Sequence, residues 1–132
     1  MSKQNQMTEQ RKRRVLVVDD EKIIADSLTM ILSQSGFEVR AAYSGETALE
    51  MALSFCPDLL ISDVIMPGIT GIEAATRIRA ILPSCKVLLF SGQATTQGLL
   101  EEARMQNQEF ELLLKPIHPT ELLVALRKTI SN

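Results

Sequence analysis

The sequence predicts an α/β domain built as a three-layer, open, parallel five-stranded sheet with helices on both faces. Three observations predict it. Five short apolar runs alternate with five stretches of helical periodicity, one strand–helix unit after another. The strongest runs are continuously apolar rather than alternating, which suits parallel strands covered on both sides. Four of the five runs also end abruptly on an acid, a hydroxyl or a lysine, and a parallel sheet gathers all such ends along one edge.

The first strand is Val15-Leu-Val-Val18, running straight into Asp19-Asp20-Glu21. Ile23, Ile24, Leu28, Ile31 and Leu32 then recur at helical spacing until Ser35-Gly36, where glycine offers a left-handed stop. Residues 38–42 form a weaker second strand. Ser44-Gly45 opens a second helix with Ala48, Leu49, Ala52 and Leu53 on its apolar face, closing before Pro57. Leu59-Leu60-Ile61 is the third strand and again meets an acid, Asp63; Val64-Ile65-Met66-Pro67-Gly68 reads as a loop. A third helix spans 71–82, with Ile72, Ala75, Ile78 and Leu82 on one side and Pro83 as its stop. The fourth strand is 86–90, ending at Ser91-Gly92, and a polar fourth helix is expected over about 95–106. The fifth strand is 111–114, ending at Lys115-Pro116. The last helix starts near Pro119, a good first-turn residue, and presents Leu122, Leu123, Leu126 and Ile130.

At 132 residues the chain suits one domain. Its apolar content of 45% and charged content of 23% argue against disorder, and no apolar run approaches the roughly 18 residues that span a bilayer. The N-terminus lacks the apolar stretch of a secretory signal. Cys56 and Cys85 have no CxxC spacing and read as reduced, buried thiols of a cytoplasmic protein. The net charge of −2 is unevenly placed: residues 1–14 carry +4, leaving −6 on the rest. Residues 1–13 therefore read as a flexible basic tail and 14–132 as the folded domain. No helix-turn-helix pattern accompanies that tail, and an acidic domain is a poor match for DNA.

The strand ends carry the chemistry. Adjacent strands lie about 4.8 Å apart, so Asp19, Asp20 and Asp63 would converge in one small pocket, with Ser91 and Lys115 across from them. Three ionised carboxylates share such a space only with a proton or a cation present. Oxygen ligands without His or Cys favour a hard divalent ion, most plausibly Mg²⁺. A lysine and a hydroxyl opposite the acids suit a phosphoryl group, and a carboxylate within reach can form an aspartyl phosphate.

The segments VLVVDDE, PDLLISDVIMPGITG, LLFSG and LLLKP resemble the receiver domains of bacterial two-component response regulators, and the likeness covers residues 14–131. The resemblance implies a flavodoxin-like fold with strand order 2-1-3-4-5. Asp63 resembles the family's phosphoacceptor, which receives its phosphoryl group from a sensor histidine kinase, a phosphotransfer protein or a small phosphodonor. It implies that Asp20 and Asp63 ligate Mg²⁺, that Asp19 supports them, and that the Ile65 backbone carbonyl supplies a further ligand. Ser91 matches the switch hydroxyl, Lys115 the phosphate-contacting lysine, and Pro116 a proline usually preceded by a cis bond. The implied output surface comprises the fourth helix, fifth strand and last helix, in a monomer or a phosphorylation-dependent dimer. Family members catalyse their own phosphorylation and dephosphorylation only slowly, so no enzyme is expected.

Some positions depart from the family pattern. Leu112 stands where many receivers place an aromatic switch residue. Ile65 and Gln93 occupy positions that influence water access to the acyl phosphate. His118, the one histidine, reads as a helix cap or exposed loop residue. The four phenylalanines are too scattered for a stacking surface and read as core. A stand-alone receiver is favoured because no linker or effector region follows the last helix, with the receiver part of a larger regulator or relay as the alternative. A haloacid-dehalogenase-like phosphatase is disfavoured, because Asp19 and Glu21 lack the second Asp and following Thr of that signature. A flavodoxin-like flavin site is disfavoured too, because three acids would repel a flavin phosphate.

Overall fold

The computed structural model describes residues 11–92 and 110–131, with positions 98, 101 and 104 between them. Five parallel strands, β1 (Arg14–Val18), β2 (Glu38–Ala42), β3 (Leu59–Asp63), β4 (Lys86–Ser91) and β5 (Glu111–Leu114), form one sheet in the order β2-β1-β3-β4-β5. The described helices are α1 (Lys22–Gln34), α2 (Gly45–Phe55), α3 (Gly71–Ile81) and the C-terminal α4 (Pro119–Ser131). Most of the helix expected over 95–106, like residues 1–10, lies outside the described residues.

Two half-cores explain why the strands read as continuous apolar runs. Leu16, Val18, Leu60, Val87 and Leu89 face α2 and α3, where Ala48, Ala52, Phe55, Ala75 and Ile78 complete the packing. The alternate positions Val15, Val17, Leu59, Ile61, Leu88 and Phe90 face Ala25 and Leu32 of α1 and Leu122 and Leu126 of α4. Strand periodicity thus sends successive side chains into opposite layers, both of them apolar.

Local chemistry sets the helix starts. The Ser44 hydroxyl accepts the Thr47 N–H at 3.0 Å, and Thr70 accepts the Glu73 N–H at 3.1 Å, each satisfying an otherwise unpaired donor. His118 begins α4 in the same manner. Its Nδ1 accepts the Thr120 N–H at 3.2 Å while its own N–H donates to Glu121 at 3.4 Å.

Two expected core positions are instead exposed: Ile23 at 82% and Leu53 at 63%. Each residue advances a helix by about 100°, so Ile23 and Leu53 stand roughly that far from Ile24 and Ala52 and off the buried stripe. The reading of both cysteines as buried also needs correction. Cys85 is buried, but Cys56 is exposed, because it ends α2 in a left-handed turn at φ 51° instead of packing inward. Burial pushes the Cys85 thiol up to about 11. We therefore expect a disulfide reagent at pH 8 to titrate one thiol in the folded protein and two after denaturation. Loss of the fast thiol in Cys56→Ser checks this; a fast reaction surviving that substitution contradicts it.

Among the described residues, no helix is long and apolar enough to cross a membrane.

Candidate functional site

The sheet order places the carboxyl ends of β1 and β3 side by side, with β4 and β5 following. Asp19 leaves β1 fully buried, and its Oδ1 accepts the Glu21 N–H at 2.9 Å. That bond organises the turn into α1, whose cap residue Glu21 contributes no side-chain bond of its own. Asp20 is exposed beside it. Asp63 ends β3, buried at 7% exposure. One carboxylate oxygen from each of Asp19, Asp20 and Asp63 lies within 4.8 Å of the others.

Lys115 answers this charge from beyond β5. Its Nζ donates to Asp19 Oδ2 and to Asp63 Oδ2, both at 3.3 Å. The Lys115 backbone N–H donates to the Ser91 carbonyl at 3.0 Å, tying the lysine to the end of β4. Its ammonium also stands 5.0 Å from the centre of the Phe90 ring. The Lys115–Pro116 peptide is cis. Ser91 is fully buried at the end of β4, and Ile65 lies half-buried in the loop after Asp63. Leu112 is half-buried and packs toward the α2/α3 layer. Gln93 lies outside the described residues.

Burial, the largest influence on Asp63, lifts its carboxyl above the ordinary range; Lys115 opposes that lift and Asp19 reinforces it. For Lys115, burial alone would weaken the ammonium. The nearby Asp63 and Asp19 charges and their hydrogen bonds outweigh it, and the net shift is upward. Among the described residues the Lys115 ammonium pairs with two of the three acids, Asp19 and Asp63, so carboxylates outnumber the ammonium in the pocket.

Two supports for this pocket escaped the sequence reading. Gly71 opens α3 against the strand end, with its N–H donating to the Val64 carbonyl at 2.8 Å; a Cβ there would stand 2.0 Å from the Asp63 carbonyl oxygen. Glu46, at the start of α2, accepts the Ile69 N–H at 3.2 Å and so holds the loop after Asp63 from the neighbouring helix. The signal for Gly71 was a glycine at a helix start, where a propensity argument alone gives it no role.

Comparison with known proteins follows this geometry. The family model for the response regulator receiver domain matches residues 15–127. The chemotaxis protein CheY of Thermotoga maritima is 31% identical over 117 residues, covering 88% of this chain and 96% of that protein. The transcriptional activator protein ExaE of Pseudomonas putida is 36% identical over 120 residues, 89% of this chain but 55% of ExaE. The chain likewise spans about half of other curated relatives, such as the response regulator MprA of Mycobacterium ulcerans at 48%. Among solved structures, the chemotaxis protein CheY4 of Vibrio cholerae superposes with a TM-score of 0.80 at 29% identity, covering 90% of this chain and 99% of that one.

Proposed function

The chain belongs to the response regulator receiver domain family, and from that premise we propose that Asp63 accepts the phosphoryl group. The protein is a receiver of two-component signalling, a signalling module rather than a dedicated enzyme. The observation that carries the assignment is the convergence of Asp19, Asp20 and Asp63, the first and last of them paired with the Lys115 ammonium, with Asp63 buried at the centre of the sheet edge.

A carboxylate oxygen of Asp63 attacks phosphorus as the donor's P–N bond breaks. The phosphohistidine electron pair returns to the imidazole, which takes a proton, and an aspartyl phosphate remains. Lys115 meets one phosphoryl oxygen and the Ser91 hydroxyl donates to another. The all-oxygen donor set and the excess of carboxylates fit a hard cation. Asp19, Asp20, Asp63 and the Ile65 carbonyl would hold Mg²⁺, whose charge would offset the negative charge of acids and phosphoryl group alike. Phosphorylation and dephosphorylation on the receiver's own account are slow.

The phosphoryl group comes from a sensor histidine kinase or phosphotransfer protein, and the phosphorylated state shifts the population toward a partner-binding form. The receiver unit is 14–132, a cytoplasmic domain carrying a basic N-terminal segment and binding no DNA directly. Its downstream partner meets the face that carries β5 and α4, as a monomer or a phosphorylation-dependent dimer; the helix that the sequence reading adds to that face falls largely outside the described residues. Leu114 and Val124, 69% and 63% exposed, support that face as a contact surface.

Incubation with a small acyl phosphate and Mg²⁺ tests the assignment. One phosphoryl group per chain is expected by intact mass, lost when Mg²⁺ is chelated, and borohydride reduction should mark residue 63 in the peptide map. A mark elsewhere, or uptake indifferent to Mg²⁺, overturns it. Asp20→Ala should weaken Mg²⁺ binding by about tenfold or more, since even outer partners of a metal site are worth that much; an unchanged titration removes Asp20 from the ligand set.

A further inference from the structure

Lys115 is held by more than its carboxylates. Its ammonium stands 5.0 Å from the centre of the Phe90 ring, inside the roughly 6 Å range of a cation–π contact. Phe90 itself has almost no freedom. It is 1% exposed, pairs in register with Asp63 on the neighbouring strand, and accepts the Val64 N–H through its carbonyl at 3.2 Å. The ring is therefore fixed one strand away from the acid and in register with it. A cavity of about 420 Å³ beside it is lined, among the described residues, by Ile24, Leu28, Phe90, Lys115, Pro116 and Ile117. Apart from Lys115 these side chains are apolar, so the described cavity walls offer the ammonium no side-chain acceptor.

An ammonium has three N–H donors. Two point to Asp19 and Asp63 at 3.3 Å, long for charge-assisted bonds. A ring face attracts the cation without offering a lone pair in the ordinary sense, so it steadies the charge without occupying the third donor, which bonds none of the described residues. Leucine or methionine would fill the same core volume but lack the quadrupole.

We propose that Phe90 is a positioning residue for phosphoryl transfer: its ring face holds the Lys115 ammonium at the pocket so that a donor is presented to the incoming phosphoryl group. The inference rests on the assignment of Asp63 and Lys115 given above. It also gives a role to an aromatic on β4 in a chain that has Leu112 at the β5 switch position.

Phe90→Leu, Phe90→Met and Phe90→Tyr in the full chain test it, with two readouts. The first is the NMR shift of the Lys115 ε-methylene protons, moved upfield by the ring in wild type and Phe90→Tyr and returned to ordinary values in Phe90→Leu and Phe90→Met. The second is the affinity for beryllofluoride, a phosphoryl mimic, in the presence of Mg²⁺. Loss of the ring should weaken it about three- to tenfold, the scale of a partly desolvated cation–π contact, with Phe90→Tyr near wild type. The two ring-free variants guard against one of them failing to fold. Wild-type affinity in either folded ring-free variant, or ordinary Lys115 shifts in the wild type, overturns the role of Phe90 alone. A wild type that takes up neither phosphate nor beryllofluoride overturns the assignment of the pocket, and this inference with it.

Discussion

Asp63→Asn is expected to abolish Mg²⁺-dependent uptake of a phosphoryl group while leaving the protein folded and more stable at neutral pH. An amide oxygen is a poor nucleophile toward phosphorus, and Asp19 does not replace it, being fully buried and already committed to the Glu21 N–H and Lys115. The stability gain follows from the direction in which burial moves Asp63. Its folded-state pKa lies above the unfolded value, so its contribution is fully present below the unfolded pKa and is lost as pH rises through the folded one. At pH 7 the wild type holds that carboxylate ionised at a cost, and asparagine removes the cost. Thermal melts without metal should show the variant above the wild type at pH 7, with the gap closing toward pH 3. Saturating Mg²⁺ should narrow the gap by stabilising only the wild type strongly. A variant that melts lower than wild type at pH 7 contradicts the electrostatic account. One that still takes up a phosphoryl group contradicts the chemical one.

Among the described glycines, Gly71 is where an added methyl group is expected to do most damage. Its Cβ would lie 2.0 Å from the Asp63 carbonyl oxygen and 2.9 Å from both the Asp63 carbonyl carbon and the Ser62 Oγ. None of these can step aside cheaply, because two are backbone and the hydroxyl is already donating to the same carbonyl at 2.9 Å. Alanine's better helix propensity offers at most about 1 kcal/mol, and less at a first helical position. Overpacking a rigid site costs about 1–3 kcal/mol or more, and here the upper end applies. A loss of about 3 kcal/mol would lower the melting temperature by roughly 10 °C in a domain of this size. The movement that relieves the clash also shifts Asp63, so phosphorylation should slow together with the loss of stability. An unchanged melt and an unchanged rate would show that α3 and β3 separate freely.

The architecture was legible because the strongest strands, β1, β3 and β4, carry continuous apolar runs that leave no choice of solvent face, and because glycine, proline and hydroxyl residues punctuate the helices. Legibility failed where a helix carries an apolar residue that its core does not need. Ile23 and Leu53 look interchangeable with their neighbours in composition, and only the angular position of the buried stripe separates them. Cys56 misled for another reason: thiols are usually inside, but this one sits where a helix must turn left-handed. The candidate site was readable as a set of residue types at strand ends. Its supports were not, because Glu46, Gly71 and Phe90 act through contacts across elements far apart in sequence. A phenylalanine in a strand of leucines announces only burial, and its place under an ammonium depends on β5 lying next to β4.

The bond from the Gly71 N–H to the Val64 carbonyl closes residues 64–71 into a ring. Glu46 fastens that ring at Ile69, and Gly68 turns it at φ 82°. A closed ring has a fixed circumference. Substitutions along it can change what lies beside the phosphorylation site, but one residue more or fewer would put Gly71 out of step with the carbonyl it must approach. Apart from Gly68 and Gly71, this stretch is therefore free to diversify in letters and bound in length, the reverse of an ordinary surface loop.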